Sequence, residues 1–144
     1  MNDLNDLYQE LILDHGTCPR NYGCLKGDAV GQAEGVNPLC GDKVTVYMRL
    51  EAGLVKDIQF EGKGCAISVA SASLMTELFQ GKTVEEVEAL WCSFKEVLVT
   101  ETTPPETLGK VVALTGVKAF PARVKCATLA WHTALAALKA QQSK

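Results

Sequence analysis

The chain has 144 residues, of which 47% are hydrophobic and 22% charged, and its formal net charge is −3. This composition is typical of a soluble globular protein, and a chain of this size buries about two-thirds of its extended surface. The mildly acidic balance, without a lysine- or arginine-rich run, argues against nucleic acid or an anionic membrane as a partner. No apolar run approaches the roughly 18 residues of a membrane span. We therefore expect one domain over residues 1–144.

The beginning of the chain, MNDLNDLYQELILDHG, is acidic and polar, whereas a secretory signal begins with basic residues and continues with an apolar run. A cytoplasmic protein is therefore expected. In a reducing compartment, cysteines that cluster in space bind metal or carry out sulfur chemistry more often than they form structural disulfides. The candidates are Cys18, Cys24, Cys40, Cys65, Cys92 and Cys126.

Helical spacing of leucines predicts a first helix over residues 4–15, ended by Gly16. Residues 43–50 and 55–61 then alternate between apolar and polar side chains on either side of a Glu-Ala-Gly turn, which predicts a hairpin. A weaker strand over residues 29–36 is expected to pair with its edge.

The rest of the chain is predicted to be helical. A helix of mostly small residues covers 65–79, and Thr83-Val84-Glu85-Glu86 has the pattern of a capping box that opens the next helix. A short helix over 106–114 follows, and Pro121 suits the first turn of a final helix that runs to about residue 140. Helix, then sheet, then helices makes an α+β fold.

Three predicted positions bring chemistry-bearing residues together. Cys40 and Asp42 lie in the turn NPLCGD before the hairpin, and Cys65 lies where the second hairpin strand enters a helix. The dipole and N–H groups of a helix N-terminus stabilise a thiolate. Because the hairpin is antiparallel, Asp42 and Gly62 are expected at the same end of the sheet.

Cys126 is predicted to face away from the bulky stripe of the last helix. At about 100° per residue, it points about 160° from the stripe that contains Trp131, toward a face of small residues. Arg123 lies on the same side as Cys126, one turn earlier. A cysteine that only fills the core would more naturally share the bulky stripe.

Three thiolates and one carboxylate suit Zn²⁺, or iron in a cluster. With a divalent ion such a set keeps a negative net charge, which nearby cations would offset: Lys43, Lys63, Arg123 and Lys125. The oxygen ligand, Asp42, would be the one that leaves most readily. Spacing alone leaves isolated buried thiols as an equal alternative.

Four segments resemble the U-type iron–sulfur cluster assembly proteins, which comprise SufU, IscU and the N-terminal part of NifU. The segments are LYQELILDHGTCPRNYG, NPLCGD, GKGCAISVASASLM and ARVKCATLAWHTAL. The resemblance implies an α+β fold with a small, mostly antiparallel three-stranded sheet backed by several helices. It also implies metal ligation by Cys40, Asp42, Cys65 and Cys126.

Two features resemble the SufU branch of this family. Lys125 precedes the last cysteine where IscU has a His, and a segment over residues 84–105 lengthens the stretch between the second and third cysteines. The resemblance then implies bound Zn²⁺ and transfer of persulfide sulfur from a SufS-type cysteine desulfurase, alongside other cluster assembly proteins. Gly16 departs from the family, which usually has an aromatic residue there, and is expected to loosen the end of the first helix.

We predict that Cys40 accepts the sulfur, that Arg123 stabilises the arriving anion and that Lys125 offsets the charge of the site. The protein would then be a sulfur acceptor that works with the desulfurase, and not an enzyme on its own. One alternative is a scaffold that builds a [2Fe–2S] cluster on Cys40, Cys65 and Cys126, with iron in place of zinc. Another is a zinc-stabilised adaptor without a chemical role.

The remaining candidates are expected to have ordinary roles. His15 is predicted to cap or pack a helix end, and His132 to lie on the surface. The other three cysteines, at positions 18, 24 and 92, are expected to be small residues without a special function.

Overall fold

The computed structural model describes residues 3–27, 30–38, 41–100, 105–119 and 121–142. Its elements, in chain order, are α1 (Asp3–Thr17), β1 (Gly31–Asn37), β2 (Asp42–Glu51), β3 (Leu54–Lys63), α2 (Ala66–Phe79), α3 (Val84–Val99), a 3₁₀ segment (Glu106–Ala119) and α4 (Pro121–Gln142). The predicted α+β order of helix, sheet and helices is confirmed. No helix in these ranges is both long and apolar enough to cross a membrane.

The sheet is antiparallel with the strand order β1-β2-β3. Ala52 and Gly53 connect β2 to β3, and their φ values of 54° and 79° are those of a tight turn that suits the twist of a hairpin. In register, Asn37 pairs with Asp42 and Lys43 pairs with Lys63. The β1–β2 connection and the end of β3 therefore lie at the same end of the sheet, as predicted from the antiparallel hairpin.

Helix α4 crosses β1 with almost no space between the two backbones. A Cβ atom on Gly35 would overlap Oγ1 of Thr133, and one on Gly31 would overlap the carbonyl oxygen of Ala137. The face of small residues predicted for α4 thus packs on the sheet. Cys126 lies two turns before Thr133 on this face and is fully buried.

The other side of α4 enters the aromatic core. Trp131 is fully buried, with its ring centroid 4.3 Å from that of Phe94 and 5.2 Å from that of Phe79. Trp91 also contacts it, at 6.1 Å. Trp91, Phe94 and Trp131 are therefore all core residues.

A buried histidine joins α1 to α2. Nδ1 of His15 lies 2.6 Å from Oγ of Ser73, and the same Oγ accepts a hydrogen bond of 2.8 Å from the backbone N–H of Arg20. Oγ of Ser73 thus joins the ring of His15 to the backbone of Arg20, and the tautomer of His15 determines which of the two side chains donates. The packing role predicted for His15 is confirmed. Helix α1 continues through Gly16 to Thr17, so the expected loosening of its end is not observed.

Two predicted details are wrong. Asp42 is the first residue of β2 and does not lie on a loop. The segment after residue 105 is a 3₁₀ helix that extends to Ala119, past the predicted end at residue 114. Gly109, with φ 53° and ψ −130°, interrupts the helical geometry of this segment.

Candidate metal centre

The carboxylate of Asp42 is completely buried at the start of β2. Oδ1 accepts a hydrogen bond of 3.0 Å from the backbone N–H of Cys65. Oδ2 is buried and has no hydrogen-bond partner in the described part of the chain. A buried carboxylate oxygen without a partner is costly, and a bound cation would satisfy it.

Cys65 is the N-cap of α2. Its Sγ accepts a hydrogen bond of 3.4 Å from the backbone N–H of Ser68, and the side chain is half-buried. This position directs the backbone N–H of Ser68 at the sulfur, at the helix N-terminus where the sequence places Cys65. The start of α2 can lie this close to Asp42 only because residue 64 is a glycine, since a Cβ there would lie 2.7 Å from Oδ1 of Asp42.

Cys126 reaches the same place from α4. Its side chain is fully buried, with Sγ 3.7 Å from the carbonyl oxygen of Ala122 and 3.9 Å from Nδ2 of Asn37. The close packing of α4 on β1 holds this sulfur against the end of the sheet.

Ligand atoms of Asp42, Cys65 and Cys126 all lie within 4.8 Å of one another. Two sulfurs bound to one tetrahedral zinc are separated by about 3.7 Å, so the observed spacing fits one ion with small adjustments. The convergence of these three side chains matches the sequence analysis, and their binding of an ion stays a prediction. The donor set, two sulfurs and an oxygen without a partner, fits Zn²⁺ or iron.

The fourth predicted ligand, Cys40, lies outside the described residues. It belongs to the connection between Asn37 and Asp42, which are paired across β1 and β2. A hydrogen bond of 2.9 Å from the N–H of Gly41 to the carbonyl oxygen of Asn37 closes that connection. Pro38 and Gly41, on either side of it, are exposed.

The predicted cations lie on elements that border the cluster, and all four are exposed. Lys43 follows Asp42 directly, but its ammonium group is 3.6 Å from Glu34, so part of its charge is already offset. Lys125 lines a cavity of about 320 Å³ together with Asn37. Arg123 is in the first turn of α4.

The polar groups around the ligands were not predicted from the sequence. Two of them are hydrogen-bond donors to the sulfurs, the side chain of Asn37 and the N–H of Ser68. In addition, Gly64 has no side chain and so leaves room for the carboxylate of Asp42. A donor side chain at the start of NPLCGD is a signal that would have singled out Asn37. The remaining cysteines, Cys18, Cys24 and Cys92, are exposed free thiols. His132 is exposed and stacks edge-on against Trp91, as a surface residue would.

Comparisons with known proteins give consistent matches over most of the chain. A family model described as the NifU-like N terminal domain matches residues 7–144. The chain is 42% identical over 130 residues to the zinc-dependent sulfurtransferase SufU of Bacillus subtilis, covering 90% of this chain and 87% of that protein. It is 44% identical over 133 residues to the iron–sulfur cluster assembly scaffold protein IscU of Thermotoga maritima, covering 92% and 93%. The crystal structure of an N-terminal NifU-like protein from Brucella abortus matches with a TM-score of 0.87 at 26% identity, covering 98% of both chains.

Proposed function

The chain belongs to the family of NifU-like N-terminal domains, and on this basis we propose that it is an iron–sulfur cluster assembly protein that accepts persulfide sulfur from a cysteine desulfurase at a zinc centre. The observation that carries the proposal is the convergence of Asp42, Cys65 and Cys126 within 4.8 Å, together with the buried Oδ2 that lacks a partner. We propose that residues 1–144 form one domain. The proposed partner is a SufS-type desulfurase.

Cys40, Asp42, Cys65 and Cys126 would hold the ion. Bound zinc would keep its thiolate ligands deprotonated at neutral pH and lower their combined charge. The hydrogen bond from the N–H of Cys65 to Oδ1 leaves Oδ2 of Asp42 as the oxygen that can face a cation.

Cys40 is the proposed sulfur acceptor. Its thiolate attacks the terminal sulfur of the desulfurase persulfide, an S–S bond to Cys40 forms, and the S–S bond to the cysteine of the desulfurase breaks. The electron pair of the broken bond stays on the desulfurase cysteine, which becomes a thiolate. The terminal sulfur is transferred to Cys40 together with its proton. No electrons are gained or lost overall. After that proton is released to solvent, Arg123 would stabilise the anionic terminal sulfur, and Lys125 would offset the charge of the site.

Burial supports Cys40 over the other two sulfurs. Cys126 has no exposed surface, and Sγ of Cys65 already accepts a hydrogen bond at the helix N-terminus. Cys40 belongs to a connection whose neighbours Pro38 and Gly41 are exposed. A protein-sized partner could contact these two flanking residues directly, whereas it could not reach the buried Cys126.

The choice of SufU over IscU chemistry rests on two features. Lys125 precedes Cys126 in place of the His that is typical of IscU, and helix α3 occupies most of the additional segment. The similarity to proteins named as IscU scaffolds keeps one alternative in view, a [2Fe–2S] cluster on Cys40, Cys65 and Cys126. A stable, transferable cluster after anaerobic reconstitution would favour that alternative. A zinc-stabilised adaptor would unfold on chelation yet tolerate Cys40→Ser.

A desulfurase turnover assay tests the proposal. A SufS-type enzyme is given cysteine, and alanine formation is measured with zinc-loaded protein, zinc-free protein and the Cys40→Ser variant. Cys18→Ser is the matched control, because Cys18 is an exposed free thiol outside the site. We expect stimulation by the zinc-loaded protein and by the control only. Undiminished stimulation by Cys40→Ser would refute the assignment of the acceptor.

A further inference from the structure

Asn37 lies where three parts of the proposed metal centre meet. It is the last residue of β1, it pairs with Asp42 across the sheet, and it is only 6% exposed. Its carbonyl oxygen accepts the N–H of Gly41 and so closes the connection that contains Cys40. Its backbone therefore contacts Gly41, the residue after Cys40, and pairs with Asp42.

The side chain of Asn37 acts on a third ligand. Nδ2 donates to Sγ of Cys126 over 3.9 Å, between residues that are 89 positions apart in the chain. Both residues are almost fully buried, which reduces the competition of water for this contact. An amide that donates to a thiolate disperses part of its charge and restrains its direction, as outer polar groups do at other metal sites.

We propose that Asn37 is a positioning residue of the metal centre, which holds the sulfur of Cys126 in ligating position through its side-chain amide. This inference rests on the proposed function, since it takes Cys126 as a ligand. It also gives a reason for the division of labour among the cysteines. Cys65 and Cys126 each accept an N–H donor that restrains them as ligands, from Ser68 and Asn37 respectively.

A merely structural role for Asn37 would have different consequences from a positioning role. If the side chain only fills space between β1 and α4, then shortening any buried side chain of that interface should have a similar effect on the metal. Thr133 provides the comparison. It is 4% exposed, it packs on Gly35 of β1, and its hydroxyl donates to the carbonyl oxygen of Leu129, not to a sulfur.

The test compares Asn37→Ala, Asn37→Gln and Thr133→Ala with the parent chain. Zinc affinity is measured by competition with a chromophoric chelator, and the sulfur-to-metal charge-transfer band is recorded after substitution with Co²⁺. Unfolding of the zinc-free proteins by urea separates loss of fold from loss of affinity. Removal of an outer-shell donor is expected to weaken zinc binding by about 10- to 100-fold.

We expect Asn37→Ala to show this loss with a charge-transfer band moved to lower energy, Asn37→Gln to recover part of both, and Thr133→Ala to keep the parent values. Zinc affinity within twofold of the parent and an unmoved band in Asn37→Ala would overturn the inference. Equal losses in Asn37→Ala and Thr133→Ala would overturn it as well. If Asn37→Ala does not fold, Asn37→Leu takes its place, because leucine has a similar size but no N–H donor. A loss of zinc affinity with a moved band in Asn37→Leu supports the inference, and parent values in that variant overturn it. A parent chain that binds no stoichiometric zinc would instead contradict the zinc centre of the proposed function.

Discussion

The backbone N–H of Cys65 donates a hydrogen bond of 3.0 Å to Oδ1 of Asp42, so the N-cap of α2 and the first residue of β2 hold each other in place. This contact couples two of the proposed ligands before any ion binds. As the oxygen ligand, Asp42 is predicted to leave the metal most readily. To do so, it must break the hydrogen bond to Cys65, or its carboxylate must rotate about that bond.

Replacing Asp42 by Asn should separate metal binding from folding. The substitution keeps an oxygen for the N–H of Cys65 but removes a buried charge whose Oδ2 has no partner in the described part of the chain. We expect the zinc-free protein to gain about 1 kcal/mol or more in free energy of unfolding, because a buried unpaired carboxylate is costly. Zinc affinity should fall. Urea denaturation and chelator competition measure the two effects, with Asp57→Asn, at the other end of the hairpin, as the control.

Gly64→Ala should damage the site without unfolding the chain. The new methyl group would lie 2.7 Å from Oδ1 of Asp42 and 3.1 Å from Oγ of Ser68, so the carboxylate must move. Gly116→Ala is the matched control, because the space around Gly116 is open and its φ is not positive. Zinc stoichiometry after dialysis should drop for the first variant only. Full zinc content in Gly64→Ala would show that the position of Asp42 is not critical.

The stability of the protein should depend on pH through His15. Burial, and secondarily the positive charge of Arg20, lowers the pKa of His15 below its ordinary value of 6.5, although Glu77 and Asp14 act in the opposite direction. Lys110 also lowers it slightly.

Because the folded state binds this proton less readily than the unfolded state, the stabilising contribution is complete above pH 6.5. It is lost as the pH falls from there through the lower pKa of the folded state. We expect the free energy of unfolding of the zinc-free protein to decrease from pH 7.5 to pH 5.5. In His15→Asn, which does not titrate, this decrease should be smaller. An identical pH dependence in the two proteins would contradict the assignment.

The hairpin turn carries removable strain. Ala52 has φ 54°, a left-handed conformation that costs a residue with a Cβ about 1 kcal/mol, whereas Asn tolerates it. Ala52→Asn should therefore raise the free energy of unfolding by about 1 kcal/mol. Gly53→Ala, at φ 79°, should lower it. Thermal or urea denaturation of both variants would reveal the opposite signs, and a loss of stability in Ala52→Asn would contradict the turn geometry.

Much of the fold follows from local patterns. Alternation in β2 and β3, the capping box at Thr83 and the proline at the start of α4 each mark an element that the structure contains. The family resemblance is also confirmed. The antiparallel hairpin was enough to place Asp42 beside the end of β3, because strand direction alone determines which ends meet.

Contacts between distant elements were less accessible from the sequence. Helix α4 packs closely on β1 because Gly31 and Gly35 lie under Thr133 and the helix backbone. The periodicity of apolar residues does not predict such a contact. The same approach creates the contact between Asn37 and Cys126. The interruption of the 3₁₀ segment at Gly109 depends on a backbone conformation that glycine permits but does not specify.

X-ray absorption spectroscopy at the zinc edge on the purified, zinc-loaded protein tests the central claim most directly. The account predicts one zinc ion with three sulfur neighbours at about 2.3 Å and one oxygen at about 2.0 Å. Asp42→Asn should change the oxygen contribution, and Cys40→Ser should leave two sulfurs. A parent spectrum with two or fewer sulfurs, or with four, would contradict a centre built from Cys40, Asp42, Cys65 and Cys126.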